Sequence, residues 1–121
     1  MKIPPLFAGK IIQIFDDFLG KTIHIAHDIY RGSGCRLHSL FGHVNPLYDL
    51  ITGGTVLDND AIASLADRQQ RSVLPHLHLT VFWLQNDYPA HTINWSTLHH
   101  VLELELIDPL QIIAHEYEIL E

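Results

Sequence analysis

The sequence predicts an α+β domain: one long N-terminal amphipathic helix and one or two shorter helices, packed on a small antiparallel sheet that ends in a C-terminal hairpin. Three observations lead there. Between Lys10 and Arg31 the residues divide without exception into two sides when wound at about 100° per residue. Helix-start and helix-stop signals recur through the middle of the chain. Near the C-terminus, leucines alternate with glutamates up to a turn signal.

Over Lys10–Arg31 the apolar side carries Ile11, Ile12, Ile14, Phe15, Phe18, Leu19, Thr22, Ile23, Ile25, Ala26, Ile29 and Tyr30. The polar side carries Lys10, Gln13, Asp16, Asp17, Gly20, Lys21, His24, His27, Asp28 and Arg31. A hairpin turning at Asp16-Asp17-Phe18-Leu19-Gly20 competes with the helix. Ile and Thr favour strands, Gly20 weakens a helix interior by roughly 1 kcal/mol, and no good N-cap precedes Lys10. The hairpin, however, points His27 inward beside Ile23, Ile25 and Ile29, which breaks its alternation. On that ground the helix is preferred.

Gly32-Ser33-Gly34 ends this element in a turn, and Cys35–Val44 reads as a short strand. Asn45-Pro46 is an N-cap followed by a first-turn proline, and Gly53-Gly54 is a stop, so a short helix is predicted over Pro46–Thr52. Asp58-Asn59-Asp60 caps a second helix running to about Gln70. His76–Leu84 is mostly apolar and too short for an independent helix, so it is predicted as a central strand. Gln85–Thr92 is a loop, with a short helix beginning after Asn94. Leu102, Leu104 and Leu106 then alternate with Glu103 and Glu105, Asp108-Pro109 supplies turn formers, and Ile112–Leu120 resumes an extended pattern. No repeat or linker divides the 121 residues, so a single domain spanning 1–121 is expected.

Composition narrows the function. A formal charge of −7 leaves nothing to neutralise a series of phosphates, which argues against nucleic acid and anionic membranes as partners. No apolar run reaches the roughly 18 residues of a membrane span, and the first residues do not read as a secretory signal. One cysteine, Cys35, fits a reducing compartment, and a cytoplasmic location is expected. Cys35 has no hydrolase motif around it, and no phosphate-binding loop or nucleophile elbow occurs. Ten histidines are the oddity: fully protonated they would move the charge from −7 to +3.

Two functional expectations follow. In a hairpin turning at Asp108–Gln111, Glu103 faces Glu116 while Glu105, Glu118 and Glu121 lie nearby. Such an acidic face suits a basic protein partner, with Trp95 and Tyr88 as interface anchors. The first expectation is therefore a small acidic protein-binding module of inhibitor, immunity or adaptor type, with self-association through the N-terminal helix as a variant and no cofactor. The alternative is a histidine-ligated metalloprotein acting on a small molecule. His24 and His27, three apart, and His76 and His78, two apart, have spacings that a divalent transition metal can use. The third ligand would come from His38, His43, His91, His99, His100 or His115.

Overall fold

The computed structural model describes residues 2–32, 34–65 and 78–108, and these form an antiparallel β protein rather than an α+β one. The strands are β1 (Lys2–Ile3), β2 (Gly9–Asp17), β3 (Gly20–Arg31), β4 (Cys35–Gly42), β5 (Val44–Pro46), β6 (Thr55–Val56), β7 (Ala63–Leu65), β8 (His78–Gln85) and β9 (Leu104–Ile107). Six of them build one sheet in the order β6-β2-β3-β4-β8-β9, and β1-β7-β5 make a second, smaller sheet. The described helices are two single 3-10 turns, Ala90–Thr92 and Leu98–His100.

The long N-terminal helix is the main correction. Residues 10–31 are the β2–β3 hairpin, closed at Asp17–Gly20 with Gly20 at φ 78°. A positive φ costs glycine almost nothing, and the Asp17 side chain accepts a hydrogen bond from the Phe18 amide at 2.7 Å, so the turn is locally specified. The inward histidine that argued against a hairpin is real but satisfied. His27 is fully buried, with its ring nitrogens 2.8 Å from Ser39 Oγ and 3.0 Å from the Phe7 carbonyl oxygen. A β-bulge between Ile11 and Gln13 and another between Ala26 and Tyr30 offset the period-2 pattern. Those offsets let a strand pair imitate a helical stripe.

The two midway helices are corrected as well. Asn45-Pro46 lies in β5, followed by the turn Leu47–Leu50, where the Leu50 amide donates to the Leu47 carbonyl. Asp58-Asn59-Asp60 caps a turn instead of a helix: Asp60 Oδ2 accepts from the Leu57 amide at 2.8 Å, and β7 follows. Residues 66–70 lie outside the described residues. Of the strand expected at His76–Leu84, residues 78–84 lie in β8, paired on both sides by β4 and β9, while His76 and Leu77 lie outside the described residues. Of the C-terminal hairpin, Leu104–Ile107 is β9, while Ile112–Leu120 lies outside the described residues.

The six-stranded sheet is covered on both faces. Ile11, Ile23, Ile25, Leu37, Phe41 and Val81 point toward the smaller sheet, joined there by Ile3, Val44 and Ala63. Leu40, Phe82 and Leu84 point the other way, under Ile93, Trp95 and Leu98 of the 86–101 segment. Alternation therefore selects between two cores rather than between core and water, as expected for internal strands. β4 shows this best, since all six residues from Leu37 to Gly42 are buried.

Gly9 marks where β2 and β3 approach most closely. A Cβ built there would lie 2.3 Å from the Ala26 carbonyl oxygen and 2.9 Å from the His27 Cα, both backbone atoms that cannot swing aside. Gly32, by contrast, has open space around its Cβ position. Gly9→Ala is expected to destabilise the protein by about 2–3 kcal/mol in urea unfolding, whereas Gly32→Ala changes stability by less than about 1 kcal/mol. Equal effects of the two substitutions would contradict the β2–β3 packing.

Candidate functional site

The β2–β3 turn, the connection after β4 and the segment carrying Trp95 meet at the end of the six-stranded sheet where β2 turns into β3. β4 ends there at Gly42, and His43 follows with φ 60°, the sole described residue other than glycine with a positive φ. Bulky residues avoid this left-handed conformation, and it persists where surroundings hold it. Here the His43 amide donates to the Leu19 carbonyl at 2.9 Å, and Gly20 lies alongside, its Cβ position 3.6 Å from His43 Nδ1. Across the β4–β8 ladder Gly42 pairs with His78, the first described residue of β8. The result brings the imidazoles of His43 and His78 together, with ring centroids 4.8 Å apart at a 30° tilt. Both side chains are half-buried, open to solvent on one side.

Two imidazoles so placed can accept a proton from a bound molecule, donate one to it, or offer nitrogen lone pairs to a metal. His76, two residues before His78, lies outside the described residues. Among the described residues no group of three His, Cys, Asp or Glu side chains gathers as a metal site. The pair alone falls short of the three protein ligands usual at a catalytic zinc.

His24 and His27, the other candidate pair, go to opposite faces of the sheet. His24 Nε2 is 2.9 Å from His38 Nδ1, and its Nδ1 is 3.1 Å from Gln13 Nε2, which also donates to the Ile93 carbonyl at 2.7 Å. With Gln13 donating to Nδ1, neutral His24 carries its proton on Nε2 and donates to His38. On the other face, the Phe7 carbonyl can only accept, so His27 carries its proton on Nδ1 and Ser39 donates its hydroxyl hydrogen to Nε2. A serine donating to a histidine suggests a nucleophile, yet both side chains are fully buried, so their bond satisfies the interior.

Trp95, expected as an exposed anchor, is buried at 7 % exposure. Glu103 is exposed, and Glu105 pairs with Arg31 at 2.8 Å, which holds the Glu105 carboxyl below its usual range. Arg31 also lies 4.8 Å from the centre of the Trp83 ring. Glu116 and Glu118 lie outside the described residues. His43 stood in the sequence only as one of six third-ligand candidates. Its proximity to His78 needs the β4–β8 register, which no local spacing reveals.

The architecture is that of a two-sheet antiparallel β domain with a histidine pair at one sheet end. A solved structure of LytU is similar in fold: TM-score 0.62 and 23 % identity over 94 % of this chain and 65 % of that one. This chain thus spans less than two thirds of the LytU chain. No protein-family model matches, and no curated protein does. The two antiparallel sheets correct the expectation of an α+β protein, and at 23 % identity the likeness to LytU is one of fold alone. Among the described residues no helix is long and apolar enough to cross a membrane.

The buried histidines make stability depend on pH. Burial, followed by the nearby His38 and His27, drives the His24 pKa well below 6.5. Burial also lowers His27 to about 4 and His38 to about 3, opposed at His27 by its bond to Phe7 and aided at His38 by Arg36. Unfolded, each histidine binds a proton near 6.5. Below that pH the unfolded chain takes up protons that the fold refuses. The stabilisation is therefore complete above about pH 6.5 and declines as pH falls toward 4, by up to about 1.4 kcal/mol per pH unit for each group. Urea midpoints measured from pH 8 to 4 are expected to be flat above 7 and to drop steeply below 6. A flat profile down to pH 4 would show that these rings are not held neutral.

Proposed function

We propose that this chain is a hydrolytic domain that cleaves peptide bonds at the sheet end where His43 and His78 meet. The observation that carries this reading is the half-buried imidazole pair, set at the end of an otherwise closely packed sheet. The neighbour LytU, described as a peptidase-like protein of the lysostaphin type, supports the reaction class.

The chemistry needs a proton acceptor and a proton donor at one place. One imidazole of the pair takes a proton from water as the water oxygen bonds to the substrate carbonyl carbon. The other gives a proton to the amide nitrogen as the carbon–nitrogen bond breaks, leaving a carboxylic acid and an amine. The backbone at His43 fixes the direction of its ring, and the β4–β8 ladder fixes His78 opposite. A bound divalent transition metal would polarise the water or the carbonyl oxygen. The described donors do not complete a site for one, so no step is assigned to it.

His43→Ala and His78→Ala are each expected to slow peptide hydrolysis by about 100-fold or more, in line with the loss of acid–base catalysis. Because both side chains are partly exposed, melting temperatures should change little. The measurement is mass spectrometry of new termini in a peptide library, with added zinc and with chelator as separate arms. Rates unchanged in both variants would remove the pair from the site. Absence of any cleavage by the wild-type chain in both arms would overturn the reading.

A further inference from the structure

The geometry points to Thr22 and Trp95 as positioning residues that hold His43 against His78. Neither can touch a substrate directly, because Thr22 is fully buried and Trp95 nearly so. Both nevertheless act on the segment that carries His43. The Trp95 indole Nε1 donates to Thr22 Oγ1 at 2.8 Å, and the Thr22 hydroxyl donates to the Gly20 carbonyl at 3.1 Å. The Trp95 amide donates to Asp17 Oδ2 at 2.9 Å, so one residue is bonded to both sides of the β2–β3 turn. The same indole packs on Gly42, where a Cβ would lie 2.9 Å from Trp95 Cζ2.

The chain of contacts is therefore continuous. Trp95 presses on the residue before His43 and, through Thr22 and Asp17, fixes the turn whose Leu19 carbonyl receives the His43 amide. A residue other than glycine stays at φ 60° where such contacts over-determine its backbone. Remove the indole–hydroxyl bond and the turn can shift relative to the end of β4. The His43 ring then leaves its register with His78 while both sheets stay folded. Asn45 and Pro46, which follow in β5, keep their pairing with β7 and limit the motion to the turn side.

This inference rests on the pair being the reactive site, and its test separates the two. Thr22→Val removes the acceptor and keeps the volume, Thr22→Ser keeps the hydroxyl, and Trp95→Phe removes the donor from the other side. The first measurement is the nuclear Overhauser cross-peak between the ring protons of His43 and His78 in the full chain. It is expected in the wild type, lost or strongly weakened in Thr22→Val and Trp95→Phe, and restored in Thr22→Ser. The second is peptide hydrolysis, where kcat should fall about 10- to 100-fold in Thr22→Val with KM within about twofold, and recover in Thr22→Ser. Should Thr22→Val fail to fold, Trp95→Phe carries the same comparison. A variant that melts earlier yet keeps the cross-peak would overturn the inference, as would a wild type without the cross-peak. If the wild type shows the cross-peak but cleaves nothing, the proposed reaction falls and the positioning role is judged on the cross-peak alone.

Discussion

β4 is buried along both faces from Leu37 to Gly42, and every other part of the structure answers to that constraint. A strand without a wet face must find an internal partner for each polar side chain it carries, because an unmatched one costs about 1–3 kcal/mol. Ser39 meets His27 on one face, and His38 meets His24 on the other. Those partners come from β3, so the polar pairs bind the two central strands in a single register. A slip by one residue would exchange the faces and strand four polar groups among aliphatic side chains.

The histidines consequently fall into two kinds. His24, His27 and His38 are interior groups that reject protons, and their bonds define the core as sharply as Ile23, Ile25 and Phe82 do. Phe82 even stacks on His38, with ring centroids 5.4 Å apart, so the imidazole is treated as one more flat core ring. His43 and His78 stand where this packing stops. They inherit its rigidity through Gly42, paired with His78 on one strand and pressed by Trp95 from above, while keeping access to solvent. A reactive pair gains from such a location, since a packed support holds two side chains in one geometry without further ordering.

Some of this was written locally in the chain. The stretch ending in Val81, Phe82, Trp83 and Leu84 identifies an internal strand because it is mostly apolar and too short for an independent helix. Gly20 after Asp16-Asp17 offers a turn, and Cys35 to Val44 reads as extended. The 10–31 segment misleads for a definite reason. The stretch Thr22–His27 of β3 is buried on both faces, and His24, His27 and half-buried Gln13 look solvent-facing until their partners are known. Asn45-Pro46 and Asp58-Asn59-Asp60 have the form of helix starts, yet the same side-chain acceptors serve turns equally well.

The sequence by itself determined composition-level facts: a −7 charge, one cysteine, ten histidines, and the positions where turns could form. It also placed His78 two residues after His76, a spacing set by covalent neighbours alone. The tertiary structure decided which histidines are core and which are site, and that His43 rather than His38, His91, His99 or His100 stands beside His78. Strand pairing joins Gly42 to His78, 36 positions on, through backbone hydrogen bonds whose register depends on the whole sheet. No local pattern of side chains encodes that choice.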